Sequence, residues 1–263
     1  MAVSVKTKHE IELMRESNHR LEYVHDELAK MLQPGISTWE IDMEARRLIK
    51  ECEGTPNFLN YEGFPAAVCT SVNEEVVHGI PKKSRKLKEG DIISLDCGLI
   101  YKGYHSDAAR TYGIGKISEE AQKLIDVTKQ SFFEGIKFAK AGHHLHEISA
   151  AIGDYCESFG FGVVRDMVGH GIGTQMHEDP QVPNFRQKSR GLRLVAGMTL
   201  AIEPMIAEGT WEVDWLDDGW TVVTKDRKPA AHYENTILIT DSEAEILTLH
   251  EEERKELQEE IYV

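Results

Sequence analysis

Four carboxylates and one imidazole occupy positions from which they could share divalent cations: Asp96, Asp107, His170, Glu203 and Glu234. Asp96 and Asp107 flank a candidate β-hairpin. Ile92, Ile93 and Leu95 form one β-favouring run, Tyr104 to Tyr112 forms the return strand, and Lys102-Gly103 is a permissive two-residue turn. With that turn, Gly98 faces Asp107, and Asp96 projects to the same face two residues away because strand side chains alternate. The two aspartates are then diagonal neighbours, roughly 7 Å apart at the backbone, and each disfavours the other's charge unless a cation intervenes. Taken alone, the hairpin fits two water-facing aspartates equally well, since exposed aspartates are common.

The stretch Met167 to His177 holds His170 and His177 among Gly169, Gly171 and Gly173, which predicts a tight loop or strand rather than a helix and lets a ligand approach the backbone. Glu203 precedes Pro204, whose ring keeps it extended and ends regular pairing, and Glu234 heads an alternating strand from Tyr233 to Thr240. Either glutamate alone also fits an exposed surface position. Together the five residues carry a charge of −4, enough to neutralise two divalent cations. An oxygen-rich set with one nitrogen suits manganese, iron(II), cobalt or zinc better than a thiolate-type site does.

The elements that must position these groups repeat. Ile11, Met14, Leu21, Val24, Leu28 and Met31 recur at helical spacing from about His9 to Leu32, and Pro34-Gly35 closes that helix. Ser37 with Glu40 forms a capping-box pattern for a second helix running toward Gly54. After the hairpin, Ser118 opens a third helix to about Lys140, and Ala141-Gly142 leads to a fourth from about Leu145 to Phe159. Gly35, Glu40 and Ile41 match Gly142, Glu147 and Ile148 at an offset of 107, and the same offset carries Gly90 to Gly197 and Asp96 to Glu203. Helix-capping grammar can make two halves look alike by chance, but a strand ending in a carboxylate twice is harder to produce that way. The expectation is a single catalytic domain over residues 1–263, of α+β class, built from halves at roughly 9–112 and 118–240. Their sheets meet about a pseudo-twofold axis.

Composition narrows the function classes. The 263 residues provide ample core, and a net charge of −15 argues against a phosphate-binding surface as the main business, leaving room only for a local basic patch. Cys52, Cys69, Cys97 and Cys156 form no CxxC pair, which fits reduced thiols. The charged stretch Lys6 to Glu16 is unlike a secretory signal, and no run is long and apolar enough to span a bilayer. A soluble, cytoplasmic protein with no DNA or membrane partner is expected. Of the 12 histidines, His143, His144 and His146 read as ordinary surface residues at a helix start.

Nearly the whole chain resembles the type I methionine aminopeptidases of the pita-bread fold. The likeness rests on Pro34-Gly35-Ile36-Ser37-Thr38, Asn73 through His78-Gly79-Ile80-Pro81, Leu95-Asp96-Cys97-Gly98, His105-Ser106-Asp107, Gly169-His170-Gly171-Ile172-Gly173, Ile202-Glu203-Pro204-Met205, and Asp218-Gly219-Trp220 through Tyr233-Glu234-Asn235-Thr236. The 33-residue step from His170 to Glu203 leaves no room for the helical insertion of type II enzymes. Prolidase and aminopeptidase P relatives are disfavoured for want of their extra N-terminal domain.

The resemblance implies a central antiparallel sheet flanked by helices, and two bound metals. Asp96 would bind one, His170 with Glu203 the other, and Asp107 with Glu234 would bridge. Glu203 would shuttle a proton from the attacking water to the leaving amine. His177 would contact the scissile amide or the tetrahedral intermediate, and His78 the substrate's nitrogen. A methionine side chain would enter a pocket of Tyr61, Phe64, Cys69, Met176 and Trp220, residues that otherwise read as ordinary core. Phe64 and Met176 stand where many relatives carry tyrosine and phenylalanine. The implied activity is removal of the initiator methionine from nascent polypeptides when the second residue is small, by a monomer with a transient ribosome contact. A proline-directed exopeptidase and a metal-free peptide-binding module are the competing readings. Residues 250–263, rich in glutamate, read as a solvated terminal helix or, second, as a partner-binding segment.

Overall fold

The computed structural model describes residues 3–249. Helix α1 (Lys8–Lys30) starts at a capping box in which Thr7 accepts from the Glu10 amide and Glu10 reaches back. Helix α2 (Thr38–Glu51) starts at the Ser37/Glu40 box expected from sequence. Each such box satisfies amides that a helix start would otherwise leave unpaired, for about 1 kcal/mol.

The strands that carry the site follow in chain order. They are β1 (Val68–Val72), β2 (Ile92–Tyr101) and β3 (Tyr104–Gly113). After helices α3 (Glu119–Ile136) and α4 (Leu145–Ser158) come β4 (Gly169–Gly171), β5 (Glu178–Val182), β6 (Thr199–Ile202), β7 (Met205–Ala207), β8 (Ala230–His232) and β9 (Glu234–Leu238). Helix α3 stops short of the expected Lys140. The Phe138 and Ala139 amides bond back only three residues, to Gly135 and Ile136, which tightens the chain out of the α-helix.

Strands β2, β3, β9, β6, β4 and β5 lie side by side in a nine-stranded antiparallel sheet, with β1 on the outer edge of β2. Alternation along β2 sorts its two faces. Ile93, Leu95, Cys97 and Leu99 pack with Leu21, Val24 and Leu28 of α1 and Ile41, Leu48 and Ile49 of α2. Ser94, Asp96 and Gly98 therefore face the other way. A matching cluster joins Phe132 of α3, Ile148 and Ile152 of α4, Leu200 and Ile202 of β6, and Ile237 of β9. Each fully buried Leu or Ile in these clusters contributes about 1.5–3 kcal/mol of apolar transfer.

The offset of 107 has structural counterparts. The Gly35 amide donates to Leu87 O at 2.8 Å and the Gly142 amide to Leu194 O at 3.0 Å, while bridges Ser37–Lys86 and His144–Arg193 stand at equivalent places. Between the two clusters, β3 and β9 pair over only two positions, Glu234 with Ala109 and Asn235 with Ala108. Thr236 extends that seam, since its hydroxyl accepts from the Asp107 amide and donates to Asp107 O at 2.9 Å. The segment 250–263 and its expected helix lie outside the described residues.

Candidate metal centre

The hairpin places its aspartates as the sequence predicts. Lys102 (φ 48°) and Gly103 (φ 83°) form the turn with both central residues at positive φ, Tyr101 pairs with Tyr104, and Gly98 lies opposite Asp107. Gly98 cannot be anything larger: a Cβ there would sit 2.4 Å from the Asn57 side-chain amide and 2.5 Å from Ser106 O. The glycine-rich stretch is a strand, β4, in which His170 pairs with Ala201 of β6. A Cβ on Gly169 would meet Ala201 O at 2.4 Å and one on Gly171 would meet Asp179 O at 2.3 Å, so the flanking glycines allow neighbouring backbones to close around His170. Glu203 follows the last residue of β6, its carbonyl held by the Asn184 side-chain amide at 2.9 Å, and Glu234 is the first residue of β9.

These elements bring all five groups to one cavity of about 420 Å³. Ligand atoms of Asp107, His170 and Glu234 lie within 4.8 Å of one another. His170 Nε2 stands 3.6 Å from Glu203 Oε1 and 3.9 Å from Asp107 Oδ2. His170 Nδ1 donates to Gly171 O at 2.9 Å, which leaves the Nε2 lone pair facing the carboxylates, the tautomer a metal-binding imidazole needs.

The electrostatics explain what such a cluster requires. Burial pushes the Asp96 carboxyl up to about 7. Asp107, Glu203 and Glu234 are raised well above the ordinary carboxylate range, first by burial and then by one another's charge. Burial takes the His170 imidazole down to about 3, so it is neutral. Asp96 Oδ1, Asp107 Oδ1 and Glu234 Oε1 are buried without a hydrogen-bond partner among the described residues. Orphaned buried carboxylate oxygens are rare and costly in native proteins. A divalent cation removes both the repulsion and the unmet acceptors, and the hard oxygen-rich donor set fits one.

The remaining predicted residues line the same cavity. Phe64, Cys69 and Met176 are buried with Phe58 and Ala66 in an apolar cluster against which Tyr61 and Trp220 pack. Phe64 and Trp220 meet edge to face at 5.2 Å, and Asp218 holds the Trp220 turn by accepting from the Trp220 and Thr221 amides at 3.1 and 2.8 Å. His177 lies at the exposed mouth with its ring 4.5 Å from that of His170 and perpendicular to it, while the Tyr61 hydroxyl sits 3.0 Å from His177 Nδ1. His78 adopts a left-handed φ of 59° and burial lowers its pKa to about 4.

His143, His144 and His146 line no part of this cavity; His144 and His146 stand beside the carbonyls of Gly191 and Arg190 instead. The four cysteines are free thiols, three of them buried. Two neighbours of the site escaped the sequence reading. Phe58 belongs to no pattern that would single it out among eight phenylalanines. His232 is a buried imidazole 3.9 Å from both Glu203 and Glu234, and because its step to Glu234 crosses between sheets, no strand alternation in the sequence pointed to it.

Residues 12–241 match the family model of metallopeptidase family M24. The chain is 55% identical over 249 residues to a methionine aminopeptidase of Clostridium acetobutylicum, covering 95% of this chain and 100% of that protein. It is 50% identical over 243 residues to methionine aminopeptidase 1 of Bacillus subtilis, covering 92% and 98% of the two. Its fold superposes on the crystal structure of a methionine aminopeptidase from Thermotoga maritima with a TM-score of 0.92, at 44% identity, covering 94% of this chain and 99% of that one.

Proposed function

The chain belongs to metallopeptidase family M24, and from that premise we propose that it is the metal-dependent aminopeptidase that removes the N-terminal methionine from new polypeptides, preferring a small second residue. Relatives at 50% identity and above carry that activity in their names, and divalent metals are the cofactors of the family. The observation that carries the reading is one cavity in which orphaned carboxylates adjoin a wall of aromatic and sulfur-bearing side chains.

In this reading the centre would take two cations of the manganese, iron(II), cobalt or zinc class, with Asp96 able to hold one, His170 and Glu203 the other, and Asp107 and Glu234 available to both. When bound, they lower the pKa of water and polarise the scissile carbonyl. The residues of the chain do the rest. Glu203 takes the proton of the attacking water and delivers it to the leaving amine. Because Tyr61 engages His177 Nδ1, His177 offers Nε2 to the scissile amide or the tetrahedral oxygen. His78, kept neutral by burial, contacts the substrate's nitrogen from the other side. Phe64, Cys69, Met176, Trp220 and Tyr61 receive the thioether side chain, since sulfur packs well against aromatic edges. Phe58 completes that wall.

The chain acts as a single catalytic domain and a monomer on nascent polypeptide N-termini in the cytoplasm. Among the described residues no helix is long and apolar enough to cross a membrane. A transient ribosome contact is supported by exposed Lys82, Lys83, Lys86 and Lys88, a basic run in a chain of net charge −15. The test is peptide cleavage by chelator-stripped protein before and after addition of manganese or cobalt. Metal-restored release of methionine from Met-Ala-Ser far above Met-Leu-Ser is expected. Cleavage that follows a second-position proline rather than methionine would move the chain to the prolidase side, and folded protein releasing nothing with any metal would make it a binding module.

A further inference from the structure

His232 has no part in the mechanism above, yet it faces two of its carboxylates. Its side chain is 1% exposed, and neither ring nitrogen has a hydrogen-bond partner among the described residues. Nε2 lies 3.9 Å from Glu203 Oε2 and 3.9 Å from Glu234 Oε2. Glu203 is thus flanked by two imidazoles, with His170 toward Oε1 and His232 toward Oε2. The two differ in one respect: His170 lines the cavity, as Asp96, Asp107, Glu203 and Glu234 do, whereas His232 stands behind them.

The backbone of His232 is held from the first half of the chain. Thr111 Oγ1 accepts from the His232 amide at 2.8 Å and donates to His232 O at 2.9 Å, and the same hydroxyl bonds Ser94 Oγ at 2.8 Å. Ser94 and Thr111 belong to the hairpin that carries Asp96 and Asp107, so the imidazole is registered to both halves of the centre.

We propose that His232 is a positioning residue of the metal centre, its Nε2–H turned to the outer oxygens of Glu203 and Glu234 so that their inner oxygens stay aimed into the cavity, and that it does not itself ligate. The gap of 3.9 Å exceeds a hydrogen bond of about 2.9 Å by roughly 1 Å, so a small shift of either carboxylate toward His232 would close it. Partners that orient ligands from behind are commonly worth about 10–100-fold in metal affinity.

The inference rests on the ligand set proposed above, so the test separates the two. Chelator-stripped wild type, His232→Leu, His232→Gln and Asp107→Asn are checked for folding by circular dichroism, and Mn(II) binding is measured by titration calorimetry. The expected result is about 10-fold or greater weakening in His232→Leu, binding near wild type in His232→Gln, whose amide donates from a similar reach, and an unchanged peptide KM with a lower kcat in His232→Leu. Wild-type affinity in His232→Leu overturns the proposal, and so does equal weakening in both variants. In Mn(II)-loaded wild type, electron spin-echo modulation from one histidine nitrogen is expected. Two would make His232 a ligand and overturn its positioning role, whatever the variants do. If wild type fails to bind Mn(II), or Asp107→Asn binds like wild type, the ligand set itself falls and this inference with it.

Discussion

The two halves of the molecule share a frame and differ in what they bring to the cavity. In the first, a ten-residue strand and its hairpin partner deliver Asp96 and Asp107 from one continuous ladder. In the second, the equivalent strand is four residues long, stops before Pro204, and delivers Glu203 beyond its end, with His170 supplied by the neighbouring strand. The helix-entry bridges Ser37–Lys86 and His144–Arg193 occupy equivalent places, so the frame is conserved while the ligand chemistry diverges. One half gives short carboxylates on a stiff ladder, and the other a longer carboxylate with an imidazole. Under the proposed ligand set, two cations held there would sit in inequivalent positions, one richer in nitrogen.

Loss of the seam carboxylates should have the largest effect on activity. Asp107 and Glu234 stand on β3 and β9, where the halves touch, and in the proposed ligand set they would serve both metal positions. Asp107→Asn or Glu234→Gln should therefore abolish tight binding at both. Loss of several kcal/mol of transition-state stabilisation means a kcat/KM lower by roughly 10³-fold at 1.36 kcal/mol per tenfold, read in the peptide assay with metal in excess.

Next in size are the paired cores. Ile93 and Leu200 are equivalent by the 107 offset and both fully buried. Truncation of either to alanine should cost about 2–5 kcal/mol in urea unfolding of metal-free protein. A large cost in one half and none in the other would show that the second cluster is not the counterpart of the first.

Metal and pH sharpen the electrostatic side. Each cation at 100 times its dissociation constant should stabilise the fold by about 2.7 kcal/mol, a Tm rise of roughly 5–11 °C per occupied site for a chain of this size. The Asp96 carboxyl is raised from its ordinary 3.8 to about 7 by burial. A raised folded pKa favours the protonated form, so the contribution of Asp96 to the metal-free protein is full below about pH 4 and is lost as pH rises through about 7. Metal-free Asp96→Asn should lack that slope in a series of thermal melts, and metal-loaded wild type should show the opposite trend, because cations bind the ionised form. The smallest effect is at the caps: Ser37→Ala should cost about 1 kcal/mol in the same urea experiment.

Much of this was legible in the sequence because local chemistry dictated it. The Ser37/Glu40 box fixed the start of α2 and Lys102-Gly103 fixed the hairpin register, which placed Asp96 and Asp107 without reference to the rest of the chain. The C-terminus of α3 was not legible, since the three-residue turns at Phe138–Ala139 end it with no Gly or Pro among residues 137–140 to mark the place. The glycines around His170 signalled close backbone approach but not whose backbone, and only the three-strand packing with β5 and β6 answers that. His232 was hidden for a related reason. Its two-residue step from Glu234 crosses from one sheet to another, and which groups lie behind a ligand is a property of the assembled halves.

Under the proposed function each half would hold its own cation and the seam carboxylates would join them. A cobalt anomalous difference map from cobalt-loaded crystals tests it most directly, with Asp96→Ala alongside wild type. Two peaks are expected in wild type, one against Asp96 and one against His170 and Glu203, with Asp107 and Glu234 touching both, and the peak at His170 alone should survive in Asp96→Ala. A single wild-type peak, or peaks away from these five residues, would contradict the account.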